Sequence, residues 1–265
     1  MFTLSYDRIV GIIYRHLYLQ VRDLMRLFDI TYWPSIDLLL WGFGNVALAS
    51  TGADTKWAVA NIICVLLWQI SYRANLEIST NLLEEIWERN LMNLFSTPLK
   101  FSEWVIGLLL LSVVRIIIML CICIITLYYF FSIFIFAVFP ILLFFIFMCW
   151  LLIGGWAIGF LNASLVVYFG RKAQSLPWMF AWLWAPFCGV FYPVEVLPLW
   201  MQKVSFWIPL TYIFQSARNF IATGAISYTD LSVAFFLNII YFMVGFLLFK
   251  ASFERSKRGG LSRLE

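Results

Sequence analysis

Few side chains in this sequence can make or break bonds. The single histidine, His16, stands among Arg8, Arg15, Arg22 and Arg26, with no nucleophile or metal ligand at a useful spacing. Cys64, Cys121, Cys123, Cys149 and Cys188 all fall in apolar runs, so they read as small packing residues. No G-x-x-x-x-G-K-S/T run is present, so the chain has no phosphate-cradling loop. No metal and no cofactor of its own is expected, and any ATP must be hydrolysed on another polypeptide. What remains is charge set in apolar sequence. Asp37 and Arg115 are the candidate buried ionisable groups, too few for a proton relay. Arg115 lies about 11 residues inside an apolar tract, roughly 16 Å at helical rise and near a bilayer midplane. An arginine there is costly and functional by default; the alternative is a structural pair with a backbone carbonyl or an acid on a neighbouring span.

The elements that must position these groups are helices in a membrane. Of 265 residues, 63% are hydrophobic and 12% charged, and mean hydropathy is +0.91, far outside soluble practice. Aromatics at 20% suit extensive contact with membrane interfaces. The opening stretch carries charges throughout and lacks a small-residue cleavage site, so no cleavable signal is expected. Residues 5–29 read as an amphipathic helix, with Arg8, Arg15 and Arg22 on one face and Ile13, Leu17, Leu24 and Phe28 on another. Residues 1–33 are thus expected along the inner membrane surface; the alternative is a soluble helix packed on another subunit.

Spans are expected over 34–50, 57–78, two within 104–168 that turn near Ser132, then 176–192 and 231–249. Pro140 should kink the fourth. Gly155, Gly159 and Ala163 give small-xxx-small spacing for close helix contact, within one chain or between two. Of eighteen Lys and Arg, fourteen fall on one side of this topology, Lys56, Lys203 and Arg218 on the other, and Arg115 between. That bias predicts six spans with both termini cytoplasmic, including a basic tail over 250–265.

Two stretches break the pattern. Over 79–98, Asn81 and Glu84 have the spacing of a capping box. Leu83, Trp87, Leu91 and Leu94 share a stripe, while Glu84, Glu85, Glu88 and Arg89 cover the rest, and Pro98 ends it; taken alone, this is a surface helix. Over 186–224, Pro193, Pro198 and Pro209 forbid one spanning helix. Two short amphipathic helices are expected, the first from Pro198 to Pro209 and the second from Thr211 to Thr223, with Gly224 as its stop. They form either a hairpin dipping into one interface or an aromatic loop lying on headgroups.

The run F-C-G-V-F-Y-P-V-E-V-L-P-L-W-M-Q over 187–202, followed by P-L-T-Y and Arg218, resembles the C-terminal signature of type-2 ATP-binding-cassette (ABC) transporter permeases. The resemblance is dense over 186–221 and looser elsewhere. It implies an all-α membrane protein with six transmembrane helices, an N-terminal interface helix and a re-entrant outer hairpin over 193–224. It also implies that 79–98 is a cytoplasmic coupling helix, on which Glu84, Glu85, Trp87, Glu88, Arg89 and Leu91 meet an ABC ATPase subunit. Arg89-Asn90 stand where the family commonly has Gly-Thr, followed here by Thr97-Pro98. Arg115, Pro193, Glu195, Pro198 and Arg218 are then expected on the translocation path or its gate. Trp178, Trp182 and Trp184 either line that path or anchor the interface.

These readings predict the permease of an ATP-driven exporter of lipid-linked glycans, lipids or amphipathic drugs, paired with a second permease copy. It would sit among lipids of a plasma membrane such as a bacterial inner membrane. ATP and magnesium would bind the partner subunit, and no nucleic acid is involved. The competing classes are a secondary carrier or channel and a non-transport membrane scaffold. No inverted repeat of the kind many carriers show is evident.

Overall fold

The computed structural model describes residues 4–52 and 54–260, and these are helical with no strand among them. In order the helices are α1 (Tyr6–Arg22), α2 (Leu24–Ser50), α3 (Thr55–Trp87), α4 (Leu91–Ser96), α5 (Phe101–Phe131), α6 (Ile135–Val138), α7 (Ile141–Phe169), α8 (Leu176–Leu183), α9 (Leu199–Ser205), α10 (Pro209–Thr223) and α11 (Tyr228–Arg258). Single 3-10 turns cover Gly170–Ala173 and Val194–Val196. Four helices, α3, α5, α7 and α11, are long and apolar enough to cross a membrane.

The other two expected spans are built differently. α2 starts at Leu24, because the Asp23 side chain accepts from the Met25 N–H and caps it. Pro34, read as the start of a span, lies inside α2. The interface helix therefore ends at Arg22, not at residue 33. The fifth span, expected over 176–192, is helical only over Leu176–Leu183. Pro186 disfavours helix at the residue before it, and Gly189 takes a φ of 70°, so the chain continues as turns. Pro140 precedes α7 as its N-cap and does not kink it. Ser132, at φ 55°, ends α5 where the turn was expected. Part of the expected tail, residues 261–265, lies outside the described residues.

α3 is the central post, buried on nearly every side. Its contact with α7 is set by glycine. A Cβ on Gly155 would lie 2.5 Å from the Ser71 carbonyl oxygen and 2.6 Å from Ala74 Cβ, and one on Gly159 would lie 2.9 Å from the Asn75 carbonyl oxygen. The small-residue stripe thus joins two helices of one chain. On its other side α7 meets α11, where Gly245 would place a Cβ 2.8 Å from the Ala157 carbonyl oxygen.

α1 buries Ile9, Ile12, His16 and Gln20, while Leu24 and Phe28, expected on its apolar face, are exposed on α2. Ile12 packs onto Gly107 of α5. Arg8 pairs with Glu103 at 2.7 Å, and the same carboxylate accepts from the Ser5 and Lys100 N–H groups. The basic face is therefore turned largely to this chain's own acids.

Candidate functional site

The end of α3 next to α1 carries the residues expected to couple to an ATPase. They do not form a separate helix. Residues 79–87 are the last turns of α3, and α4 begins after a break at 88–90. Asn81 caps nothing: its Nδ2 donates to the Glu77 carboxylate at 3.0 Å and to the Glu77 carbonyl. The break is a Schellman turn. The Asn90 N–H donates to the Glu85 carbonyl and the Arg89 N–H to the Ile86 carbonyl, with Arg89 at φ 51°. Arg89 thus holds a left-handed position that favours glycine.

The expected docking stripe is divided by this geometry. Leu83 and Leu91 are fully buried inside the chain, whereas Trp87 is 46% exposed. Glu85 is buried and pairs with Arg15 at 2.8 Å; its other oxygen accepts from Asn90 at 2.7 Å. Glu84 pairs with Arg26 at 2.8 Å, and Glu88 lies 3.8–3.9 Å from Arg26 and Arg15. These acids strap the α1–α2 elbow to the end of α3. The exposed side chains at this tip include Trp87, Glu88 and Arg89.

His16 sits under this strap, 2% exposed and 3.9 Å from Glu85. Burial, then the positive charges of Arg115 and Arg15, lower its pKa to about 3, so it is neutral. Its folded pKa lies below the ordinary 6.5, so the unfolded chain takes up a proton that the folded chain refuses. Stability contributed by neutral His16 is full above about 6.5 and is lost as pH falls, by at most about 1.4 kcal/mol per unit. The thermal midpoint of wild type in detergent should therefore drop more between pH 6.5 and 5 than that of His16→Gln. Parallel curves would remove His16 from the acid response.

Above the strap runs a chain of ion pairs. Asp29 of α2 meets Arg73 at 2.6 Å, Arg73 meets Glu77 at 2.7 Å, and Glu77 meets Arg115 of α5 at 2.5 Å. Arg115 is thus paired with an acid on a neighbouring helix. Beside it lies a groove formed by two adjoining cavities of about 400 and 230 Å³, which share Asp29, Arg73, Leu76 and Trp178. The larger is walled by α2, α3, α5 and α8 and includes Trp33, Asp37, Tyr72 and Trp182. The smaller reaches Gln20, Arg26, Glu84 and Arg115 at the elbow. Trp178 and Trp182 line the groove; Trp184 lines a separate small cavity with Gly154 and Ile208 instead.

Pro193, Glu195, Pro198 and Arg218 are gathered at the other end, apart from Arg115. Pro193 and Pro198 are the N-caps of the 3-10 turn and of α9. Pro209 begins α10 and Gly224, at φ 75°, ends it. Arg218 faces inward: its Nη2 donates to Asn61 Oδ1 of α3 at 3.0 Å and to the Gly189 and Val190 carbonyls at 2.9 and 3.3 Å. Ser205 Oγ donates to the Phe187 carbonyl at 2.6 Å, and Tyr192 to the Pro186 carbonyl at 3.1 Å. Glu195 accepts from Gln215 at 3.3 Å.

Sequence reasoning missed Arg73, Glu77, Gln69 and Tyr72 as site residues. The available signal was Arg73 and Glu77 at i,i+4 spacing inside a span, with one more arginine in another.

A multi-pass helical bundle with a polar seam through its centre, a strapped helix elbow at one end and a broken hairpin at the other has the character of a membrane transport component. The family model for the ABC-2 type transporter membrane domain matches residues 9–222. The chain belongs to this family and is a permease subunit of an ABC transporter. Comparison with curated proteins gives no match.

Proposed function

We propose that this permease works in export, that two copies assemble with two cytoplasmic ATPase subunits, and that the strapped elbow lies at the cytoplasmic face of a bacterial inner membrane. The excess of Lys and Arg on that side supports the orientation, with both termini cytoplasmic. ATP and its magnesium belong to the partner. Substrate, a lipid-linked glycan, lipid or amphipathic drug, enters the groove and leaves beneath the hairpin.

One observation carries this reading. α3 is continuous from the groove wall at Gln69, Tyr72 and Arg73 to the Trp87 tip. A push on the tip is transmitted along a rigid rod, and the Arg15–Glu85 and Arg26–Glu84 pairs carry the α1–α2 elbow with it. The ATPase contact is Trp87 and Arg89; Glu85 and Leu91 hold the tip from inside. Glu84 and Glu88, partly exposed, belong to the rim.

Trp87→Ala should release the ATPase on co-purification or leave hydrolysis uncoupled from transport, a loss of about 2 kcal/mol or more if it is an interface hot spot. Unchanged binding together with unchanged coupled transport would overturn the assignment.

A further inference from the structure

The larger cavity carries an unbalanced negative charge. Asp29, Arg73, Glu77 and Arg115 alternate in sign along their chain of contacts, so they neutralise one another. Asp37 stands outside that chain. Its Oδ2 accepts from Gln69 Nε2 at 3.2 Å, and no cation lies within ion-pair distance of it among the described residues. A half-buried carboxylate among apolar side chains is costly unless something of opposite charge reaches it.

The walls around it are aromatic. Trp33, Tyr72, Trp178 and Trp182 share the cavity with Asp37. The Tyr72 and Trp182 rings meet edge-on at 5.8 Å between centroids and make a corner. Behind them Trp182 stacks on Phe191 at 6.3 Å and Phe191 on Trp41 at 4.3 Å, which fixes the wall. Ring faces attract a cation within about 6 Å of their centres, most strongly where water is excluded. A cavity of about 400 Å³ suits a drug-sized molecule.

We propose that this cavity binds an amphipathic organic cation, its positive centre against Asp37 and its apolar groups against Trp33, Tyr72, Trp178 and Trp182. The proposal rests on the reading of the groove as the substrate path, and it selects the cationic member of the amphipathic class. A neutral glycan would use the rings and Gln69 but would leave Asp37 without a counter-charge. An anionic lipid would meet the wrong sign.

The test uses the full-length permease in lipid nanodiscs, without nucleotide, and two probes of one shape and opposite charge. Tetraphenylphosphonium binding, followed by tryptophan quenching, should be at least tenfold tighter than tetraphenylborate binding. Asp37→Asn, which keeps the size and the hydrogen-bonding capacity toward Gln69, should lose about tenfold in phosphonium affinity and none in borate affinity. Trp182→Ala should weaken the phosphonium several-fold. Equal affinity for the two probes in wild type, which needs no variant, overturns the proposal, as does unchanged phosphonium affinity in Asp37→Asn. Asp37-dependent binding without ATP-driven efflux of the phosphonium in the assembled transporter would confirm the site and overturn the path reading.

Discussion

Glu77→Leu should be far more damaging than Arg115→Leu. Glu77 is buried and receives two arginines, Arg73 at 2.7 Å and Arg115 at 2.5 Å, along with Asn81 at 3.0 Å. Removing it leaves Arg115 as a buried cation without an acid, whereas Arg73 keeps Asp29. Uncompensated buried charge of this kind costs about 3–5 kcal/mol. Removing Arg115 instead leaves Glu77 with Arg73, a smaller loss. The double variant Glu77→Leu/Arg115→Leu removes both members and retains the Asp29–Arg73 pair, so it should recover much of the stability that Glu77→Leu loses. Thermal midpoints of the detergent-solubilised proteins give the cycle, with an expected coupling of about 1–3 kcal/mol. Additive effects would mean that the pair is not formed in the folded permease.

The second large effect is expected at Gly155. Even alanine there places a Cβ 2.5 Å from the Ser71 carbonyl oxygen, and a backbone atom in the middle of α3 cannot swing aside as a side chain could. α7 would have to move off α3 and would disturb its seat on α11 as well. Overpacking typically costs about 1–3 kcal/mol, and a backbone clash between two central helices belongs at or above the top of that range. Gly155→Ala should sharply lower the yield of monodisperse protein. Gly44→Ala, on α2 with nothing within 4 Å of its Cβ, should be neutral or slightly stabilising. Similar yields for the two variants would show that α3 and α7 are not this close.

Hydropathy and punctuation made some of the fold legible. The tract from 104 to 168 turns at Ser132 as its apolar length required, and Gly224 ends α10 in the left-handed conformation that favours glycine. The coupling segment was harder to read. The capping-box spacing of Asn81 and Glu84 imitates a helix start, yet the Asn81 amide is drawn to Glu77 within one unbroken helix. The real break, at Arg89, uses a residue whose type gives no warning of positive φ. Window hydropathy is blind to Pro186 and Gly189 ending α8 early. The largest gap was pairing: Glu77 and Arg115 are 38 residues apart, and nothing local marks the acid that an intramembrane arginine will choose. The cavity depends on the same long-range placement, since Trp33, Asp37, Tyr72 and Trp182 come from three helices.

The early end of α8 has a consequence for biosynthesis. Eight helical residues span only about 12 Å, against a hydrocarbon core of about 30 Å. In its native shape this stretch cannot be satisfied in lipid alone, because the carbonyls of Pro186, Phe187, Gly189 and Val190 have no helical partners. Their donors, on Tyr192, Ser205 and Arg218, are translated later. In its native shape, therefore, the segment has its carbonyls fully paired only once α10 has been made and Arg218 arrives.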